Sequence, residues 1–265
     1  MFHVMKLTIQ KQRGNFGGKV LSLLLLAPDT FQAVPVVKAV HVLMEGSGAF
    51  FFYLWSMTRK KIDTRNWKRR EIYEFFKDYE EPYYGITMEL ECSGALNFAR
   101  EKGISFFLYY LYLTLKAVNQ TEAFKYRIEG DEVFLYDVID GSATIDRDDG
   151  TFGFSHIPYF EDLDLFMERA TEEVIDVRTS NRLIRSEIGE NVIHFSALPW
   201  VGFSHVSHPR RYARRDSIPK ITIGKYRKDG EKYMIPVSVH VNHAVADGLH
   251  VGMFFDTLHE LFSSS

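Results

Sequence analysis

The sequence predicts an α/β (α+β) fold: a mixed, largely antiparallel sheet covered by helices. Three observations predict it. Short apolar runs come in pairs around turn residues, as 125–128 and 133–136 around Glu129-Gly130-Asp131-Glu132. Segments with helical apolar spacing lie between such pairs rather than beside one another. Residues 237–243, VSVHVNH, alternate apolar and polar with period two, the signature of a half-covered strand.

Taken in order, the elements start after residue 56. Asn66 precedes WKRREIYEFFKDY, where Ile72, Phe75, Phe76 and Tyr79 repeat at helical spacing and predict a packed stripe. Residues 93–102 form a short helix stopped by Gly103. Residues 105–118, SFFLYYLYLTLKAV, are apolar nearly all round and, at that length, read as a buried helix rather than a membrane span. The hairpin 125–136 follows, then a second pair, 143–145 and 151–154, around DRDDG. A helix over 161–177 carries Leu163, Phe166, Met167 and Ala170 on one side. Strands are expected over 192–198, 218–226 and 233–243, the last two joined by Lys228-Asp229-Gly230. A final helix over 248–262 has Val251, Phe254, Phe255, Leu258 and Leu261 as its inner face.

The chain has 265 residues, 46% of them hydrophobic and 15% aromatic, enough to build a large core and to exclude a disordered or fibrous class. The net charge is −3, and the basic run Arg59, Lys60, Lys61, Arg65, Lys68, Arg69, Arg70 is followed by seven acidic residues between Glu71 and Glu91. No nucleic-acid partner is expected from that balance. One cysteine, Cys92, excludes a disulfide framework and a thiolate zinc site within one chain, and a cytoplasmic location is the expectation. No ligand spacing for a metal is evident around the carboxylates and histidines.

Residues 1–56 read as an N-terminal extension, either upstream sequence ahead of a start at Met57 or a loosely attached segment. Their apolar bursts, 20–27 and 50–55, are too short to span a bilayer, and no small-x-small cleavage site follows the basic residues before Val20. No membrane partner is expected. The remaining 57–265 reads as one domain.

His243 is the sharpest chemical feature. Alternation places it after Val237, Val239 and Val241 on a face that should be packed, just before the turn AVADG and a helix that Asp247 is placed to cap. A half-buried imidazole held neutral at a strand end suits general-base work. A lone strand histidine is more often a hydrogen-bonded structural residue, so the motif alone does not decide.

It has company. His243 with Asp247-Gly248, the preceding SALPW (Ser196 to Trp200), the run ITIGKY (Ile221 to Tyr226) and the early NWKRREIYEFF (Asn66 to Phe76) together resemble the chloramphenicol acetyltransferase family. The resemblance runs from Met57 to the C-terminus and includes KIDxxxW and HVGxFFxxLxEL. His-x-x-x-Asp-Gly alone is shared with the wider coenzyme A-dependent acyltransferases.

The resemblance implies that family's fold and an acetyl-CoA-dependent O-acetyltransferase, with chloramphenicol as the acceptor. It implies acetyl-CoA as a co-substrate, no permanently bound cofactor, and a homotrimer with active sites between subunits. His243 matches the base that deprotonates the acceptor hydroxyl for direct attack on the thioester. Ser196 matches the donor to the tetrahedral oxyanion, and Thr222 a threonine that holds an ordered water. Asp247 and Arg69 match a buried ion pair supporting the catalytic loop. Lys225 and Tyr226 match the coenzyme A tunnel, and Phe75, Phe76, Thr144 and Phe152 the acceptor pocket. There are departures. Asn242 stands where a second histidine is usual, Ala246 replaces a cysteine, and Phe76 replaces a tyrosine. After Trp200 the stretch VGFSHVSHPRRYARRDS brings His205, His208, Arg210 and Arg211 where the family is apolar. The same chemistry on another hydroxyl acceptor, or a non-catalytic coenzyme A-binding paralogue, are the competing readings.

Overall fold

A computed structural model describes residues 36–44, 50–184, 188–210 and 216–264. The apolar burst 20–27 and most of the 1–56 segment lie outside the described residues; β1 (Val36–Met44) and β2 (Phe50–Met57) pair as an antiparallel hairpin. The rest runs β3 (Arg59–Lys61), α1 (Arg70–Phe76), β4 (Tyr83–Glu91), α2 (Ser93–Lys102) and α3 (Phe106–Gln120). A 3-10 turn (Glu122–Lys125) leads to β5 (Tyr126–Glu129), β6 (Glu132–Tyr136), β7 (Asp140–Asp146), β8 (Phe152–Phe154) and α4 (Leu163–Thr179). Last come β9 (Val192–Leu198), β10 (Lys220–Gly224), β11 (Arg227–Asp229), β12 (Lys232–Asn242) and α5 (Gly248–Ser263).

The main sheet has seven strands, in the order β11-β12-β10-β9-β7-β8, with β4 along the other edge of β12. β12 is antiparallel to β4, β10 and β11, and β8 to β7; only β9 is parallel to its neighbours β7 and β10. The sheet is therefore mixed and largely antiparallel, as the sequence predicts. A smaller sheet, β3-β6-β5, holds the hairpin around Gly130.

The two faces of the main sheet differ in chemistry. Val237, Val239, Val241, Ile221, Ile223 and Phe195 are at most 1% exposed and join the core formed with α2, α3 and α5. α3 is nearly all buried, so its apolar circumference reflects position in the core. The opposite face carries hydroxyls and imidazoles, because period two assigns the alternate residues there. α2 ends at Gly103, whose φ of 65° is left-handed and closes the helix with bonds to Ala99 and Arg100. Cys92 is fully buried, and burial pushes its thiol up to about 12.

Three expectations need correction. The α1 stripe is not a core stripe: Ile72, Phe75 and Tyr79 are 38%, 63% and 46% exposed, and Tyr73 is the residue α1 buries. Tyr73 packs in a small separate cluster with Trp67, Tyr126, Ala244 and Val245, and half-buried Phe76 packs against it, so α1 faces that cluster and leaves Ile72, Phe75 and Tyr79 outside. β4 was not foreseen, since Pro82, two tyrosines and Gly85 interrupt the alternation of YYGITMELE. Gly85 is required because His240 lies on it: a Cβ there would collide with the imidazole ring. Four residues of the basic run are paired, and not by residues 71–91. Arg59 pairs with Glu129, Lys61 with Glu132, Arg65 with Asp63 and Arg69 with Asp247.

Arg127 fixes where β9 enters the sheet. Its fully buried guanidinium donates to the carbonyls of Phe124, Tyr126, Glu190 and Val192 at 2.6–2.8 Å. Burial lowers its pKa to about 10, which still leaves it charged at neutral pH. Arg127→Met should strand these acceptors and cost about 3–5 kcal/mol, read as a lower urea midpoint at unchanged slope.

Candidate active site

His243 stands one residue beyond β12, where the strand gives way to the turn before α5. Its backbone N–H donates to Pro82 at 2.8 Å, and Asn242 closes the turn by donating to Asp216 and accepting from Ala244, both at 2.9 Å. The departure at position 242 therefore serves the loop. The imidazole is held between two rings: Phe76 stacks at 4.2 Å with a 6° interplanar angle, and Tyr84 lies at 4.7 Å and 38°. Among the described residues neither ring nitrogen has a hydrogen-bond partner; Nδ1 is sealed from solvent, whereas Nε2 is not. A half-buried ring with one open nitrogen is the arrangement general-base work requires.

Asp247 caps α5, accepting from Leu249 at 3.1 Å with His250 Nδ1 at 2.8 Å. Its other oxygen accepts from Arg69 Nη1 at 2.6 Å, the side chains being 26% and 13% exposed. Burial pulls the carboxyl pKa upward, but the Arg69 bond and His250 outweigh it and the pKa is lowered. The pair ties α1 to the start of α5, bracketing His243.

Ser196 and Thr222 face each other across β9 and β10, and the row continues to Ser238 on β12 and Thr87 on β4. Thr87 donates to Ser238 at 3.0 Å. The Ser196 hydroxyl makes no hydrogen bond with the described residues and is not sealed from solvent. Thr222 is fully buried and its Oγ1 lies 3.2 Å from His208 Nε2, so an imidazole sits where the resemblance implies an ordered water. His208 meets the His240 ring edge-on at 5.1 Å. Burial, then the neighbouring His240 and Lys220, lower the His208 pKa to about 4, and burial lowers that of His240.

Thr144 lies two residues past Ser142, the β7 partner of His194, and so shares the face of Ser196. It pairs with Phe154, whose ring meets Phe152 at 5.6 Å. Lys225 and Tyr226 line a groove of about 590 Å³ with Thr87, Phe203 and Arg227 among its walls. Arg227 is paired there with Glu89 at 2.9 Å.

The expected site residues thus fall into two groups. His243, Phe76, Phe75 and the Arg69–Asp247 pair form one; Ser196, Thr222, Thr144 and Phe152 form the other, with Lys225 and Tyr226 further along the same sheet. From Ser238, in the Thr222 row, to His243 is five positions along β12, about 16 Å at strand rise, and Ser196 lies two strands further across. One chain does not bring His243 to Ser196.

A family model described as chloramphenicol acetyltransferase matches residues 57–259. Chloramphenicol acetyltransferase 3 of Escherichia coli is 30% identical over 210 residues, 78% of this chain and 99% of that protein. The Staphylococcus aureus chloramphenicol acetyltransferase is 29% identical over 209 residues, 77% and 96% of the two chains. A solved chloramphenicol acetyltransferase superposes with a TM-score of 0.67 at 30% identity, covering 78% of this chain and 98% of the other. The mixed sheet and its helices are those of an acyltransferase. Within that class, the chain belongs to the chloramphenicol acetyltransferase family.

Tyr84 escaped the sequence reading as a site residue, and His208, expected on the acceptor side, was not expected on Thr222. Tyr84 belongs to the unrecognised β4, and no periodicity marks His208 within an irregular segment. Among the described residues no three His, Cys, Asp or Glu side chains are placed to hold a metal, and no helix is long and apolar enough to cross a membrane.

Two outcomes follow from this electrostatics. Arg69→Met, leaving Asp247 without its partner, should cost about 3 kcal/mol in urea titration, the lower end for buried pairs because both groups are partly exposed. His208 and His240 bind fewer protons folded than unfolded below pH 6.5, so stability present at neutral pH is lost as pH falls towards 4. Melting temperature should decline between those pH values, and less steeply in His208→Gln.

Proposed function

We propose that the chain is an acetyl-CoA-dependent O-acetyltransferase whose acceptor is chloramphenicol, as the names of its relatives say of them. The observation that carries this reading is His243, held between Phe76 and Tyr84 with Nε2 open. Acetyl-CoA lies along the groove, its adenine and phosphates towards Tyr226 and Lys225 and its thioester towards Ser196. Nε2 of His243 takes the proton of the acceptor hydroxyl as the oxygen attacks the thioester carbonyl. The Ser196 hydroxyl donates to the oxyanion, which stabilises a charge that exists only in the tetrahedral intermediate. The imidazolium then returns its proton to the departing thiolate, and no acyl-enzyme forms.

The separation of the two groups requires a second copy. We infer a homotrimer in which His243 of one subunit faces Ser196 and Thr222 of the next. The apolar stripe Phe75 and Tyr79, exposed in the single chain, together with Phe152, supports an acceptor pocket closed by that neighbour. Residues 57–265 are the catalytic unit, and 1–56 an extension it does not need.

Another hydroxyl acceptor is the second reading. The His208 imidazole on Thr222 favours it, because it makes polar a wall that the family resemblance implies to be apolar.

Thiol release from acetyl-CoA with chloramphenicol should follow saturation kinetics and be unchanged on expression from Met57. His243→Ala should lower kcat by about 10²–10⁴-fold, and Ser196→Ala by about 10²-fold or more. Equal rates in His243→Ala and wild type would refute the base. Co-expression of His243→Ala with Ser196→Ala in equal amounts should restore about a quarter of wild-type activity, since one interface in four pairs both intact residues. No recovery would place the whole site within one chain.

A further inference from the structure

The family match begins at residue 57, and what precedes it is built differently. β1 and β2 pair only with each other, so both outer edges of the hairpin lack a strand partner among the described residues. Two strands alone are marginal in water. The sequence makes this pair less suited to it still. Seven of nine residues in β1 and seven of eight in β2 are apolar or aromatic, and Lys38 is the charged residue among them. Successive strand positions fall on opposite faces, so a run as unbroken as 50–55 puts apolar residue types on both. The alternation that gives β12 one packed face and one polar face is missing.

Charge is divided at the same place. Residues 1–56 hold Lys6, Lys11, Arg13, Lys19 and Lys38 against Asp29 and Glu45, a net of +3. Residues 57–265 therefore carry −6, since the whole chain is −3. The basic character continues just past the hairpin. β3 follows after Thr58, whose hydroxyl donates to Asp137. Lys60 on β3, and Lys68 and Arg70 at the start of α1, are exposed, and their side chains make no ion pair or hydrogen bond among the described residues. Ile62 and Trp67, which lie between Lys60 and Lys68, pack against the Tyr73–Tyr126 cluster, so this segment is a fixed part of the domain. Asp63 is already paired with Arg65, and Glu71 is the unpaired carboxylate beside the three cations.

Apolar surface next to unpaired cations is the combination that holds a protein at an anionic bilayer: either feature alone binds weakly, and the two together bind stably. The runs 20–27 and 50–55 are too short to span as helices, and an open-edged hairpin is not tolerated in hydrocarbon. Lying among headgroups, where water still reaches the strand edges, meets neither obstacle. The expectation of no membrane partner rested on span length, which does not bear on surface binding.

We propose that residues 1–57 dock the enzyme on the surface of an anionic phospholipid bilayer, with the β1–β2 hairpin in the headgroup region and Lys60, Lys68, Arg70 and the basic residues before Val20 answering the lipid charge. This stands apart from acetyl transfer, because lipid binding is measured without turnover.

The test is flotation of the full chain with vesicles of phosphatidylcholine alone and of phosphatidylcholine and phosphatidylglycerol in equal parts. The full chain should bind the mixed vesicles about tenfold or more tightly than the neutral ones, and added salt should release it. The chain begun at Met57 should stay behind. Lys60→Gln, Lys68→Gln and Arg70→Gln together in the full chain should weaken binding about tenfold or more. Thermal melts establish that each form is folded. If the shortened chain is not, Phe52→Lys in the full chain takes its place. If the full chain is recovered only in detergent, dialysis into the same two kinds of vesicle replaces mixing. Equal binding to neutral and anionic vesicles, binding to neither, or binding retained without residues 1–56 or untouched by the triple variant would overturn the proposal. So would lipid-free assembly of the full chain into particles that exceed the Met57 form and that vesicles do not take up, which assigns the hairpin to a second copy.

Discussion

The two-residue period of β12 is the constraint on which the rest depends. Its valines fill the core against the helices while its serine and histidine join hydroxyls and imidazoles of three neighbouring strands. A slip of one residue would move three valines onto the polar face and Ser238 and His240 into hydrocarbon, so the register is strongly specified. That register aligns Ser196, Thr222, Ser238 and Thr87 in one row. It also brings the strand to an end at Asn242, which turns the chain and leaves His243 at the rim.

Two ties hold the rim in place. Arg69–Asp247 joins α1 to the start of α5, and Tyr73 seats α1 on the cluster that includes Ala244 and Val245 of the same turn. The polypeptide on both sides of His243 is therefore anchored, and Phe76 reaches the imidazole because α1 cannot slide. At the other end, Arg127 gathers four carbonyls where β9 enters, which fixes the start of the strand bearing Ser196. Each half of the proposed site is braced by its own arginine, Arg69 partly exposed and Arg127 fully buried, and neither brace crosses to the other half.

Much of this was legible in the chain. β9 and α2 have the foreseen limits, and β12 and α5 come within a residue of theirs, because long periodic runs with clear stops leave few alternatives. β4 was not legible, since a glycine and two tyrosines at its start hide the alternation, and the glycine is there for a ring contributed by another strand. The stripe on α1 was read as core for a related reason. Periodicity reports that a face is covered and is silent on whether the cover is the same chain or another. The place of His208 on Thr222 depends on a segment crossing the sheet without regular structure, and no sequence period records where such a segment lies. The individual groups of the site were visible as motif positions, but their division into two separated sets became visible only through strand register.

The lone thiol has a practical consequence. Cys92 is the only cysteine in the sequence, fully buried, and far from ionised at neutral pH. A disulfide reagent that reports free coenzyme A will meet no competing thiolate on the folded enzyme, so its colour tracks turnover without a protein blank. The same silence makes the natural chain a ready background for spectroscopy: one cysteine introduced on the surface would carry a fluorophore or spin label at a single chosen address.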